Sequence, residues 1–257
     1  MAQFINQDLY LTEFTLHKKY AQAELLLDLV WTHSHIIMEI ALSLYDSGIF
    51  DVSALDRNLV IKAGLLFEIG VYQCGGFEWI PGQMPFEKPY IQHSIVGAEI
   101  LKQEGYRDEI VRVAMTHEGV GLTPDDIAQF GLQLPPGDYA PNSPLEWLIV
   151  YAAKYHSKAP KFKTVEDIET ALARYGGDKL EKFRQLKASF GIPNIKAFDE
   201  KYADWHRAFL YRVKQIQEGS VQNSVITLPT VDLNPAGIAI TTPPELITKM
   251  VLPESQS

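Results

Sequence analysis

The sequence predicts an all-α protein, a compact helical bundle over residues 1–217 followed by an irregular extended tail over 218–257. Apolar residues recur at helical rather than alternating spacing through most of the first 217 positions, as expected of helices that each bury one face. Residues that start and stop helices punctuate this pattern, and no internal repeat or low-complexity tract interrupts it. After Gln217 the character changes. Val221 to Ser257 holds five prolines and β-branched clusters such as Val225-Ile226-Thr227, a composition that favours extended chain packed on the body or on a second subunit.

Taken in order, helices are predicted over about 18–46, 54–69, 91–104, 107–118, 123–129, 143–157, 165–174, 178–190 and 195–217. Ser53 and Asp56 suit the start of the second, because a short polar side chain can accept from the free amides of the first turn. Gly70 and Gly105 suit helix ends. Thr123-Pro124-Asp125-Asp126 places a capping hydroxyl before proline at the first helical position. Between the second and third helices, Gly70 to Tyr90 carries four glycines and three prolines and reads as a long loop. Loops of that length in a small domain often serve a function. Its aromatic residues Tyr72, Phe77, Trp79, Phe86 and Tyr90 are candidates to cover a flat ligand.

A chain of 257 residues, 46% hydrophobic, is long enough for one substantial core. Its formal charge of −9 opposes non-specific attraction to nucleic acid or to an anionic membrane. The N-terminal residues lack a basic region followed by an apolar stretch, so a cytoplasmic protein is expected. The single cysteine, Cys74, cannot form an internal disulfide and is expected to be a buried packing residue.

Four polar residues stand on otherwise apolar faces. His33 shares a face with Ile37, Ile40, Ala41 and Leu44, and Glu68 ends a stripe of Ile61, Gly64 and Leu65. His93 is followed at helical spacing by Val96, Gly97 and Ile100, and His117 is preceded by Ile110, Val113 and Ala114. One histidine so placed is ordinarily a core residue bonded to a carbonyl. Three with a buried carboxylate, on different helices, form the ligand type of a first-row transition metal, with Glu68, His93 and His117 giving a two-histidine, one-carboxylate set. Arg112, five residues before His117, is expected to point elsewhere.

Five segments in order resemble the HD superfamily of metal-dependent phosphohydrolases. They are Thr32-His33-Ser34, then Ala63-Gly64-Leu65-Leu66-Phe67-Glu68-Ile69-Gly70, Gln92-His93-Ser94-Ile95-Val96-Gly97-Ala98-Glu99, Thr116-His117-Glu118-Gly119, and Leu148 to Lys158. The resemblance covers roughly 30 to 200 and implies an HD-type helical bundle. It implies metal ligands at His33, at 67 and 68, and at 153, with further histidines of two-metal members at His93 and His117. Here the name-giving pair is Phe67-Glu68 and the last ligand position is Ala153, so three of those four positions differ. The expectation is one divalent ion (Mn, Fe, Ni or Zn) or none, with His33 and Glu68 as the catalytic pair. Lys154 and Lys158 begin a basic run with Lys161 and Lys163 directly after Ala153, and are expected to bind the phosphate of a nucleotide or small metabolite. The alternatives are an inactive HD-fold binding or regulatory protein and an iron-dependent HD-fold oxygenase.

Overall fold

A computed structural model describes residues 10–53, 55–81, 86 and 88–220. The tail expected over 218–257 therefore lies, from 221 onward, outside the described residues. Within them the regular structure is ten α-helices and one two-stranded hairpin. The helices are α1 (Leu11–Tyr20), α2 (Glu24–Tyr45), α3 (Arg57–Leu66), α4 (His93–Gln103), α5 (Asp108–Thr116), α6 (Pro124–Phe130), α7 (Pro144–Ala152), α8 (Val165–Ala173), α9 (Gly177–Phe190) and α10 (Ile195–Gln217). Strands β1 (His156–Ser157) and β2 (Lys161–Phe162) pair antiparallel between α7 and α8.

The capping chemistry explains several boundaries. Asp56 accepts from the amide of Asn58 at the start of α3 (2.8 Å), and Thr123 and Asp126 form a reciprocal capping box on α6, with Pro124 at the first helical position. Thr164 and Asp167 repeat that device on α8. Gly105, at φ +77°, turns the chain between α4 and α5.

Three expectations are corrected. The first predicted helix is two, because the chain breaks at Ala21–Ala23 although these residues favour helix. The break lets α1 lie against the core, where His17 bonds the Leu65 carbonyl and the Tyr72 hydroxyl, each at 2.7 Å. The helix predicted to 157 ends at Ala152 and passes through a short 3-10 turn, Ala153–Tyr155, into the hairpin. Gly70 is not a left-handed helix end. It lies in a 3-10 turn, Ile69–Gln73, where a Cβ would come within 2.1 Å of the His93 carbonyl oxygen and 2.4 Å of the Gly97 amide nitrogen. Glycine is required there by contact, not by φ.

α2 is the central helix. By length and composition it is apolar enough to cross a membrane, with a mean hydropathy of 1.4 over its best window, and 89% of that window is buried inside the protein. Its N-terminal half joins α1, α3, α4 and α10 in one apolar cluster that includes Leu25, Leu29, Leu65 and Phe209. Its C-terminal half joins α7, α8 and α9 in another around Ile37, Ile40, Ile149 and Phe183. His33 sits between the two halves. Glu68, His93 and His117 gather beside it.

Candidate metal centre

Each polar side chain reaches the centre from a different element. His33 projects from the middle of α2. The turn that ends α3 carries Glu68 inward beside the wholly buried Phe67. His93 is the first residue of α4, and His117 follows the last turn of α5. All four polar side chains are buried, with no residue more than 4% exposed. Glu68, His93 and His117 offer ligand atoms that all lie within 4.8 Å of one another. His93 Nε2 stands 3.1 Å from Glu68 Oε2 and 2.9 Å from His117 Nε2, and His117 Nε2 stands 3.8 Å from Glu68 Oε1. His33 Nε2 is 3.5 Å from Glu68 Oε1.

The far sides of the two imidazoles settle their tautomers. His93 Nδ1 donates to the Tyr90 carbonyl (2.6 Å) and His117 Nδ1 to the Ala114 carbonyl (2.7 Å). In the neutral rings both Nε2 atoms therefore carry lone pairs, and those lone pairs face each other. Only a cation or a proton between them removes the repulsion. Backbone-oriented imidazoles of this kind are the usual support of metal-ligating histidines. Glu68 Oε2 adds a buried carboxylate oxygen whose near neighbour is His93 Nε2, at 3.1 Å. Two imidazoles and a carboxylate so presented fit a first-row divalent ion.

The protein's own charges occupy the centre otherwise. Burial opposes ionisation of Glu68, but the Lys158 ammonium and His93 hold its carboxyl well below the usual range. Lys158 Nζ bonds Glu68 Oε1 directly and lies 5.4 Å from the Tyr90 ring centroid. Burial would lower His93, yet Glu118 and Glu68 raise it to about 9. His33 and His117 are pushed down to about 4, chiefly by burial. An imidazolium and an ammonium thus stand where a dication would. Removing one should help metal: Lys158→Met is expected to tighten Mn²⁺ binding about tenfold, equivalent to about 1.4 kcal/mol. Unchanged or weaker binding in a Mn²⁺ titration would show that the ammonium does not compete with the ion.

The remaining sequence candidates divide. Lys154 lines the same region, and burial pushes its ammonium down to about 8. Phe67 packs its ring 5.9 Å from His33 and 4.9 Å from His117, an apolar wall beside the centre. Ala153 packs partly buried against the second apolar cluster. Arg112 turns away to the Glu146 carboxylate and the Ala140 carbonyl. Cys74 is buried and free, its thiol pushed up to about 11 by burial. Among the loop aromatics, Tyr72 and Phe77 are core residues, so the loop does not present all five to a ligand, while Tyr90 tilts over His93 at 4.4 Å.

Three further residues in or beside the centre were not singled out by the sequence, and only His206, on the buried face of α10 with Tyr202, Phe209 and Val213, carries a periodic signal. Glu118 follows His117 beyond the end of α5, where helical spacing no longer applies, and its Oε1 lies 2.9 Å from His93 Nε2. His156 stands in a two-residue strand and meets His33 Nδ1 to Nδ1 at 2.8 Å. His206 of α10 meets His156 Nε2 to Nε2 at 3.1 Å, completing a row of three buried imidazoles that leads away from Glu68.

No family model matches the chain. It is 26% identical over 152 residues to a tRNA (cytidine(56)-2'-O)-methyltransferase of Thermoplasma volcanium, a match covering 59% of this chain and 35% of that protein. The protein of the same description from Picrophilus torridus is 30% identical over 125 residues, covering 49% and 30%. An uncharacterized protein of Methanocaldococcus jannaschii is 32% identical over 119 residues, covering 46% and 59%. The chain thus spans about a third of the length of the methyltransferases it matches. Among solved structures it is similar to the HD domain of the phosphodiesterase PgpH of L. monocytogenes, at a TM-score of 0.40 and 15% identity, over 68% of this chain and 95% of that one.

Proposed function

We propose that this chain is a metal-dependent phosphohydrolase of the HD type, working with one divalent ion on a phosphate ester of a nucleotide or small metabolite. The observation that carries the proposal is the buried Glu68–His93–His117 cluster, whose ligand atoms all lie within 4.8 Å of one another and whose two imidazoles are held by backbone carbonyls with Nε2 turned to the centre. A divalent ion held there supplies Lewis acidity and brings a bound water toward ionisation near neutral pH.

The chain's residues do the rest. Tyr90 and Ala114 carbonyls hold His93 and His117 in the ligating tautomer. Phe67 and Tyr90 exclude water on two sides, which strengthens every charge interaction within. Lys158, freed from Glu68, and Lys154 bring ammonium groups to a substrate phosphate. His33, neutral and with Nε2 3.5 Å from Glu68, would accept a proton from the attacking water at Nε2 while its Nδ1–H stays donated to His156 Nδ1. Phe67 and Ala153 leave no ligand pair for a second ion, so turnover slower than that of a two-ion centre is expected.

The test is metal analysis of the purified chain beside phosphate release from a panel of nucleotides and sugar phosphates, with Mn²⁺, Fe²⁺ or Ni²⁺ added. About one ion per chain is expected, lost in the His93→Ala/His117→Ala variant together with turnover. Metal bound without turnover on any ester would favour the non-catalytic reading, for which the apolar residues at 67 and 153 are the motive. No metal in either protein would sink the proposal.

A further inference from the structure

We propose that Glu118 is a fourth protein ligand of the centre, giving a two-imidazole, two-carboxylate set for a divalent first-row ion. The inference rests on the reading of Glu68, His93 and His117 as a metal site.

Geometry is its first support. Glu118 Oε1 lies 2.9 Å from His93 Nε2 and 3.5 Å from His117 Nε2. Donor atoms each about 2.1 Å from one ion stand roughly 3 to 4 Å from one another, and the contacts among Glu68, His93 and His117 span the same interval, from 2.9 to 3.8 Å. Glu118 therefore stands at ligand spacing from both imidazoles without a change of backbone.

Valence is the second. His93 Nε2 has three close neighbours, Glu68 Oε2, Glu118 Oε1 and His117 Nε2. All three are acceptors, so a protonated Nε2 satisfies one of them well and an unprotonated Nε2 none. A cation among Glu68, His93 and His117 serves those three at once, and Glu118, in contact with both imidazoles, would complete the set by turning its carboxylate toward the same point.

Charge and access are the third. With Glu68 and Glu118 both ionised, a divalent ion is balanced by protein ligands alone, a strong requirement in a site this buried. Glu118 is also the outermost of the four. Its side chain is 20% exposed, against 0% to 4% for the others. The chain turns directly after it at Gly119, φ +57°.

The experiment compares the full chain with Glu118→Gln, Glu118→Asp and His93→Ala/His117→Ala by Mn²⁺ titration and by the visible absorption of bound Co²⁺. Thermal unfolding of each variant in chelator shows whether it is folded. Glu118→Gln is expected to weaken Mn²⁺ binding about 10- to 100-fold, by analogy with the loss of a supporting group, and to change the Co²⁺ spectrum. Glu118→Asp should recover part of both. Mn²⁺ affinity within twofold of the parent and an unchanged Co²⁺ spectrum in Glu118→Gln, with binding still lost in the double histidine variant, would overturn this inference alone. A parent chain that takes up neither ion would overturn the metal-site reading with it.

Discussion

Gly70→Ala is expected to cost about 3 kcal/mol of stability or more, and to lower the midpoint of thermal unfolding by roughly 10 °C for a chain of this size. The added Cβ would meet the His93 carbonyl oxygen at 2.1 Å and the Gly97 amide nitrogen at 2.4 Å. Both are backbone atoms of α4, so no side-chain rotation relieves the clash. Either α4 or the Ile69–Gln73 turn must move, and each carries part of the centre: His93 begins α4, and Glu68 precedes the turn. Mn²⁺ affinity should therefore fall along with stability. Gly177→Ala is the control, because a Cβ there meets nothing within 4 Å and the position lies in the first turn of α9. Gly70→Asn should be at least as damaging as Gly70→Ala, whereas at a left-handed helix end it would be tolerated. Chemical denaturation that places Gly70→Ala within 1 kcal/mol of the parent would refute the close-packing account.

The contrast at Gly70 marks how far the sequence could be read. A glycine after an amphipathic stretch signals a boundary, and the boundary is there, but sequence cannot distinguish a glycine needed for φ from one needed for approach. Glu68, His33, His93 and His117 were legible because each stands on a periodic apolar face, and a buried polar group breaks that period visibly. Lys158 was placed at the site through family resemblance, yet its pairing with Glu68 depends on a hairpin that replaces the predicted end of a helix. Glu118 and His156 were illegible for a related reason: they lie outside helices, in a turn and a two-residue strand, where no period exists to be broken, whereas His206 stands on the apolar face of α10 with Tyr202, Phe209 and Val213 and could have been found by the same signal as His33. The division of the first predicted helix was also hidden, since Ala21 to Ala23 favour helix and α1 is set apart from α2 by tertiary anchors such as His17 on Leu65 and Tyr72 and Tyr20 on Glu104. Local propensity yields to tertiary contact at such joints.

Acidification from pH 7 to 4.5 is expected to destabilise the metal-free chain by several kcal/mol. All seven histidines are buried. Two of them, His17 and His35, stand apart from the proposed ligands. Burial lowers His17 to about 4, with the Leu65 carbonyl and Glu68 opposing only in part, and lowers His35 to about 4 against the pull of Glu39. The folded values lie below the unfolded value of about 6.5, so the unfolded chain binds more protons between pH 6.5 and 4. The stability tied to neutral imidazole is therefore complete above pH 6.5 and is lost as the pH falls toward 4. A depression of this size corresponds to about 3 kcal/mol for each residue. His156 and His206 shift in the same direction, again chiefly through burial. Asp28 works the other way. Burial raises it to about 6, despite hydrogen bonds from Trp205 and Thr32, so its cost is present above pH 6 and relieved as the pH falls. One carboxyl offsets one imidazole, and the remaining histidines leave a net loss. Denaturant midpoints measured in chelator from pH 7 to 4.5 should fall steadily, and His35→Gln should flatten the slope, since a glutamine at 35 takes up no proton in either state. A midpoint that holds level over that interval would mean that the buried imidazoles accept protons without cost, which their depressed values do not allow.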